Sequence, residues 1–125
     1  MIIKGPHKNL NLKNAQKLIN NHKIWLDVAE FINDKTSVYT AFNNNNKTLK
    51  GFAIIKPIQN TKNLKIELIV TKPKQGFGTA LIQKIKNNAK IKYAKLKLVS
   101  LPKAETFYYK QNFKKYGDRE FLFKL

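Results

Sequence analysis

The chain contains no cysteine. Disulfides and thiolate-held zinc are thereby excluded, and a reducing, cytoplasmic compartment is the expectation. His7 and His22 are the two histidines and do not stand at ligand spacing, so no metal is expected. Long apolar runs are missing too, which leaves no candidate for a transmembrane helix and no expected membrane partner. The first residues, MIIKGPHKNL, lack both a long apolar segment and a small-residue cleavage site, so they do not read as a signal peptide. Acids are scarce: seven Asp and Glu stand against 25 Lys and Arg, for a net charge of +18. Arginine is scarcer still, since Arg119 is the only basic residue that is not lysine or histidine.

That charge balance points toward an acidic partner such as nucleic acid or a ribosome. The near absence of arginine argues against a dedicated base reader, which uses the guanidinium fork for bidentate contacts. Lysine, asparagine and isoleucine share AT-rich codons, so genome composition is a second source of the lysine excess. What the chain does have is an ordinary core supply: 42% hydrophobic residues and 14 aromatics in 125 residues, enough for one domain spanning 1–125.

Periodicity gives a coarse element order. MIIK reads as a first strand. Leu12, Ala15, Leu18 and Ile19 recur at helical spacing, and Trp25, Val28, Ala29 and Ile32 do so again. Thr36 to Phe42 and Thr48 to Ile55 read as a hairpin around the turn Asn43-Asn44-Asn45-Asn46. Leu64 to Val70 alternates, with Leu64, Ile66, Leu68 and Val70 expected on one side and Lys65, Glu67 and Ile69 on the other. Leu81, Ile85 and Ala89 lie along a helix with Lys84, Lys86 and Lys90 expected outward. Lys95 to Leu101 is a strand, Pro102 to about Lys110 a short helix, and Phe113 to Leu125 a closing hairpin. The order β-α-α-β-β-β-α-β-α-β-β implies an α/β or α+β domain with a mostly antiparallel sheet flanked by helices.

The joint KPKQGFGTALI, Lys72 to Ile82, carries the chemistry. A strand, two glycines and a helix start bring free backbone N–H groups and the positive helix end to one point. Glycine lets a ligand come close to that backbone, so the joint suits a pyrophosphate. It is neither a P-loop nor a Rossmann fingerprint, since both need residues that are absent.

Together with the later segment AETFYYKQNF, Ala104 to Phe113, the joint resembles the GNAT superfamily of acyl-CoA-dependent N-acyltransferases. The resemblance implies acetyl-CoA as co-substrate, held by Gln75, Gly76, Phe77, Gly78, Thr79 and Ala80, with Lys72, Lys74 and Lys84 within reach of its phosphates. It implies that the strand edge at Leu68, Ile69 and Val70 pairs with the pantetheine and supplies an oxyanion N–H, the edge sliding toward Ile66 if the strand ends earlier. It further implies Tyr108 as the donor to the departing thiolate and Glu67 as the base, acting on a primary amine of unidentified identity. Two positions depart from the family pattern. Pro73 stands where Gln or Arg is usual, and Asn112 replaces a glycine before Phe113. Two other readings compete: a basic RNA-binding domain, from the RNP1-like KGFAII at Lys50 to Ile55, and a non-catalytic GNAT-fold interaction module. Monomer and dimer are both compatible with the sequence.

Overall fold

The computed structural model describes residues 1–23, 25–45 and 48–125. Its strands are β1 (Ile2–His7), β2 (Ser37–Phe42), β3 (Leu49–Pro57), β4 (Asn63–Thr71), β5 (Lys95–Val99), β6 (Lys114–Gly117) and β7 (Glu120–Lys124). The helices are α1 (Leu12–Asn21), α2 (Phe77–Ala89) and α3 (Glu105–Lys110). All seven strands join one sheet in the order β1-β2-β3-β4-β5-β7-β6, antiparallel except where β4 runs beside β5. The expected mixed, mostly antiparallel sheet flanked by helices is the fold observed. Part of the predicted four-asparagine turn, Asn46, lies outside the described residues.

Two apolar layers sit on opposite faces of the sheet. On one face Phe77, Leu81, Ile82, Ile85 and Ala89 of α2 pack with Ala53, Ile55, Leu64, Ile66, Leu96 and Leu98. Burial of each Leu, Ile or Phe side chain contributes roughly 1.5–3 kcal/mol, so this face anchors α2 firmly. On the other face Ala15, Leu18 and Ile19 of α1 cover Val38, Phe52, Ile54 and Val70.

The second predicted helix is a correction. Its only regular structure is a 3₁₀ turn, Val28–Phe31, with Asp27 as cap. Val28 is buried, but Trp25 is 99% exposed and has no core to join. The Gln16 side chain accounts for the change. It donates to the carbonyl of Leu26 and accepts from the amide of Val28, so it satisfies in an extended segment what a helix would satisfy internally.

Lys86 is a second correction. It was expected outward on α2 but is 7% exposed. Its ammonium donates to the backbone carbonyl of Gln111 and lies 3.7 Å from the centre of the Phe123 ring. Burial lowers its pKa below the usual lysine value.

Candidate functional site

The site begins where two neighbouring strands part. Ladder pairing between β4 and β5 runs from Asn63–Lys95 to Ile66–Leu98 and ends there, while β4 continues to Thr71. One feature of β4 coincides with this parting. Against β3, Ile55 faces Ile66 and Ile54 faces Leu68, so Glu67 is the extra residue of a β-bulge.

The bulge corrects the predicted alternation of β4. Leu64, Ile66 and Ile69 lie on the α2 face, whereas Leu68 and Val70 lie on the α1 face. Glu67 therefore points away from Ile66 and toward the α1 side, where its carboxylate is 3.5 Å from Lys65 Nζ. The one extra residue breaks the period of two, which no local pattern in the sequence marks.

Backbone direction follows from the same register. The amide of Lys72 donates to the carbonyl of Lys50 on β3. Amides alternate along a strand, so those of Val70 and Leu68 also face β3, while those of Ile69 and Thr71 face the gap beside β5. Of the three residues expected at the edge, Ile69 is the one whose amide is turned outward. Thr71, which sequence reasoning did not single out, is its partner two residues on.

The chain then turns through Lys72 to Gly76 into α2. Lys74 and Gly76 both take left-handed backbone, with φ of 59° and 80°. At Gly76 this conformation matches the residue type, since a side chain there would cost roughly 1–2 kcal/mol. Gly76 is the N-cap of α2, and no side chain caps the helix. Its carbonyl receives the amide of Ala80, the first intrahelical bond. The amides of Phe77, Gly78 and Thr79 thus lack partners within the helix and converge beyond it. Gln75 is exposed on the approach, and Phe77 is buried in the core. Gly78 is needed for closeness: an added Cβ would stand 3.1 Å from the tip of Phe107.

Phe107 belongs to α3, which brings Tyr108 to the same place. Ile69, Thr71, Gly78, Ala104, Phe107 and Tyr108 line a cleft of about 210 Å³ on the α2 face of β4. Tyr108 is 6% exposed and packs edge-on to Phe107 and Phe113, at 5.1 and 5.8 Å between ring centres. Burial pushes its phenol up to about 12. Tyr109 points elsewhere and stacks edge-on against Phe121. Asn112 takes the left-handed conformation, φ 67°, that its glycine-like position requires.

Two further bonds tie α2 to α3. Gln111 Nε2 donates to Thr79 Oγ1 at 3.0 Å, and Lys86 holds the Gln111 carbonyl. The sequence contains the signal for neither, because the partners lie 32 and 25 residues apart along the chain.

Glu67 and Tyr108 flank β4 from opposite sides. The structure does not bring them into one pocket. Glu67 lines a wider groove of about 580 Å³ on the α1 side, with Lys35, Lys56, Lys65, Pro57 and Ile58. The RNP1-like segment offers no platform for bases, because Phe52 and Ile54 are wholly buried. Among the described residues, no His, Asp and Glu group is arranged to hold a metal, and no helix is long and apolar enough to cross a membrane.

A bulged strand that parts from its parallel neighbour, followed by a turn into an uncapped helix, is the architecture of the GNAT fold, and this chain has that fold. Solved structures bear this out along nearly the whole length. A Bacillus subtilis acetyltransferase in complex with CoA superposes with a TM-score of 0.76 at 16% identity, covering 98% of this chain and 97% of that one. The ribosomal-protein-S18-alanine N-acetyltransferase of Escherichia coli gives 0.74 at 18% identity, over 97% and 90%. Tetrahymena GCN5 gives 0.74 at 15% identity, over 90% and 85%. No protein-family model and no curated protein sequence matches the chain.

Proposed function

We propose that this protein is an N-acetyltransferase that moves the acetyl group of acetyl-CoA to a primary amine by direct attack. The observation that carries the reading is the coincidence of three features along one path. The β4 edge opens at Glu67, the Ile69 and Thr71 amides line the gap, and the gap leads to the uncapped start of α2. The similarity to a CoA-bound acetyltransferase supports the same reading.

In this mechanism the amides of Phe77, Gly78 and Thr79 hold the pyrophosphate, aided by the helix dipole. Gln75, Gly76 and Ala80 complete the turn around it. The pantetheine lies along β4 as an added strand and pairs with Ile69 and Thr71. Pro73 has no N–H to give, so the phosphates depend on the helix start itself.

The neutral amine attacks the thioester carbonyl carbon, and the carbonyl π electrons move to oxygen. A β4 edge N–H holds that oxyanion; one preorganised donor of this kind is worth roughly 3–4 kcal/mol. Collapse of the intermediate breaks the carbon–sulfur bond and releases the CoA thiolate. The nitrogen gives up a proton, the thiolate takes one from water, and the products are an acetamide and CoA thiol.

The two flanking residues take unequal roles. Tyr108 lies on the cofactor side. Its phenol, at about 12, is a weaker acid than a thiol at about 8.5, so full proton transfer to sulfur is uphill by roughly 5 kcal/mol. Tyr108 therefore donates a hydrogen bond to the departing sulfur and stays protonated. Glu67, on the far side of β4, takes the amine proton directly or through water.

Acetyl-CoA at millimolar concentration should raise the melting temperature, since a ligand that binds only the native state stabilises it. An unchanged melting temperature would remove the basis for the enzyme reading and favour a non-catalytic module of the same fold.

A further inference from the structure

The lysines are not scattered evenly over the sheet. Lys56 on β3 pairs in register with Lys65 on β4, and Lys65 pairs with Lys97 on β5. The row continues to Leu122 on β7 and Lys114 on β6. A second row pairs Lys95 with Lys124. Neighbouring strands lie about 4.8 Å apart, and like charges directly opposite one another destabilise a sheet. Four of the five positions in the first row are lysine.

The row occupies the α1 face, and its Lys56 and Lys65 line the groove that contains Glu67. Lys35 adds a further ammonium to the lining of that groove. Among the strand residues of this face the acids are Glu67 beside Lys65 and Glu120 opposite Val99, while Asp27 caps and Glu30 lies in the 3₁₀ turn packed on the same layer and Asp34 precedes Lys35. Helix α1 packs against β3 and β4, and farther along the same face Val99, Lys114 and Lys124 are exposed. A cationic acceptor entering here would meet a row of ammonium groups before it reached Glu67.

We infer that the acceptor is an anionic amine, one that carries carboxylate or phosphate groups beside the nitrogen to be acetylated. This rests on the acetyltransferase reading above. Glu67 faces the amine, while Lys35 and Lys56, which line the same groove, hold the anionic groups around it. The repulsion along the lysine row is then relieved when the acceptor binds, which favours anionic over neutral molecules of the same shape.

The test uses the whole chain and two matched pairs of acceptors. One pair is a short peptide with a free N-terminus followed by Asp and Glu, against its Asn and Gln counterpart. The other is phosphoethanolamine against ethanolamine. The anionic member of at least one pair should show a kcat/KM about tenfold higher, shrinking at high salt because exposed charges are screened. The peptide pair reports a carboxylate source and the other pair a phosphate source. Combining Lys35→Gln with Lys56→Gln should bring the preference close to parity while the acetyl-CoA melting shift is retained. Parity or a preference for the neutral member in both pairs overturns the inference, as does no turnover of any acceptor by protein that binds acetyl-CoA. Absence of the acetyl-CoA shift itself overturns the acetyltransferase reading instead.

Discussion

The two sides of β4 are built on different principles. On the α2 side the cleft is small, its walls include Ile69, Phe107 and Tyr108, and the backbone amides beside it are fixed by a strand and a helix. On the α1 side the groove is wide, its walls carry lysines, and its one acid is Glu67. Fixed amides in a tight cleft suit an invariant ligand, because rigid donors lose nothing to reorganisation. Long lysine side chains suit a ligand recognised by charge rather than by shape. Under the proposed function, cofactor and acceptor would be kept apart by one strand, and the bulge at Glu67 would let that strand serve both.

The sharpest way to break the contrast is to disable the α2 side alone. Gly76→Glu puts a carboxylate at the cap of α2 and a side chain where φ is 80°. The expected result is complete loss of the acetyl-CoA melting shift and of turnover, with an intrinsic cost to stability of roughly 1–2 kcal/mol. Calorimetry with and without acetyl-CoA measures both. A retained shift would place the phosphates somewhere other than the start of α2.

Tyr108→Phe is the next largest effect. Loss of one donor to developing charge should lower kcat by roughly 10²-fold and leave acetyl-CoA binding nearly unchanged. The same variant has a pH signature. The folded phenol, at about 12, lies above its unfolded value of about 10, so the native state binds the extra proton between those values. Stability contributed by the neutral phenol is full below pH 10 and is lost as pH rises toward 12. Tyr108→Phe should therefore flatten the alkaline fall in stability, by at most about 2–3 kcal/mol. Unchanged kcat together with a flattened profile would leave Tyr108 as packing alone.

On the other side of β4, Glu67→Gln should cost less. Water in the open groove can take the amine proton, so turnover should fall by less than about tenfold. The deficit should shrink as pH rises, because more of the amine is then neutral before it binds. A loss as large as that of Tyr108→Phe, constant with pH, would mean that Glu67 does more than accept a proton.

How much of this arrangement the sequence revealed depends on the range of the interactions. The α2 stripe of Leu81, Ile85 and Ala89 and the hairpin strands follow local periodicity, and they were legible. So was the glycine-like duty of Asn112, whose backbone does take φ 67°. The bulge at Glu67 was not, because alternating apolar residues look the same with or without one extra residue in the ladder. The segment from Trp25 to Ile32 carries a helical period, yet the side chain of Gln16 claims the backbone of Leu26 and Val28, and only a 3₁₀ turn forms beyond them. Lys86 read as solvent-facing because its partners, Phe113, Phe123 and the Gln111 carbonyl, reach it only after the last hairpin folds back.

Lys86 gives the smallest and most discriminating test of the contrast. It sits on the α2 side without touching the cleft, and it holds the end of the helix that carries Tyr108. Lys86→Met keeps most of the buried stem but leaves the Gln111 carbonyl without its donor, a loss of roughly 1–3 kcal/mol. Removal of a desolvated charge offsets part of that, so the net cost at neutral pH should fall near the lower end. The sign with pH is fixed by the lowered folded pKa. The unfolded lysine binds its proton more tightly, so wild-type stability gains as pH rises toward the ordinary lysine value of about 10.4. The Met variant has no such gain, and the gap between the two should widen over that range in urea titrations. If Lys86 positions Tyr108, kcat should also fall two- to threefold, roughly, with KM for acetyl-CoA unmoved, and Lys86→Arg should restore part of it. A stability loss with unaltered kcat would show that the α2 side tolerates movement of α3, and that its rigidity resides in the turn at Gly76 alone.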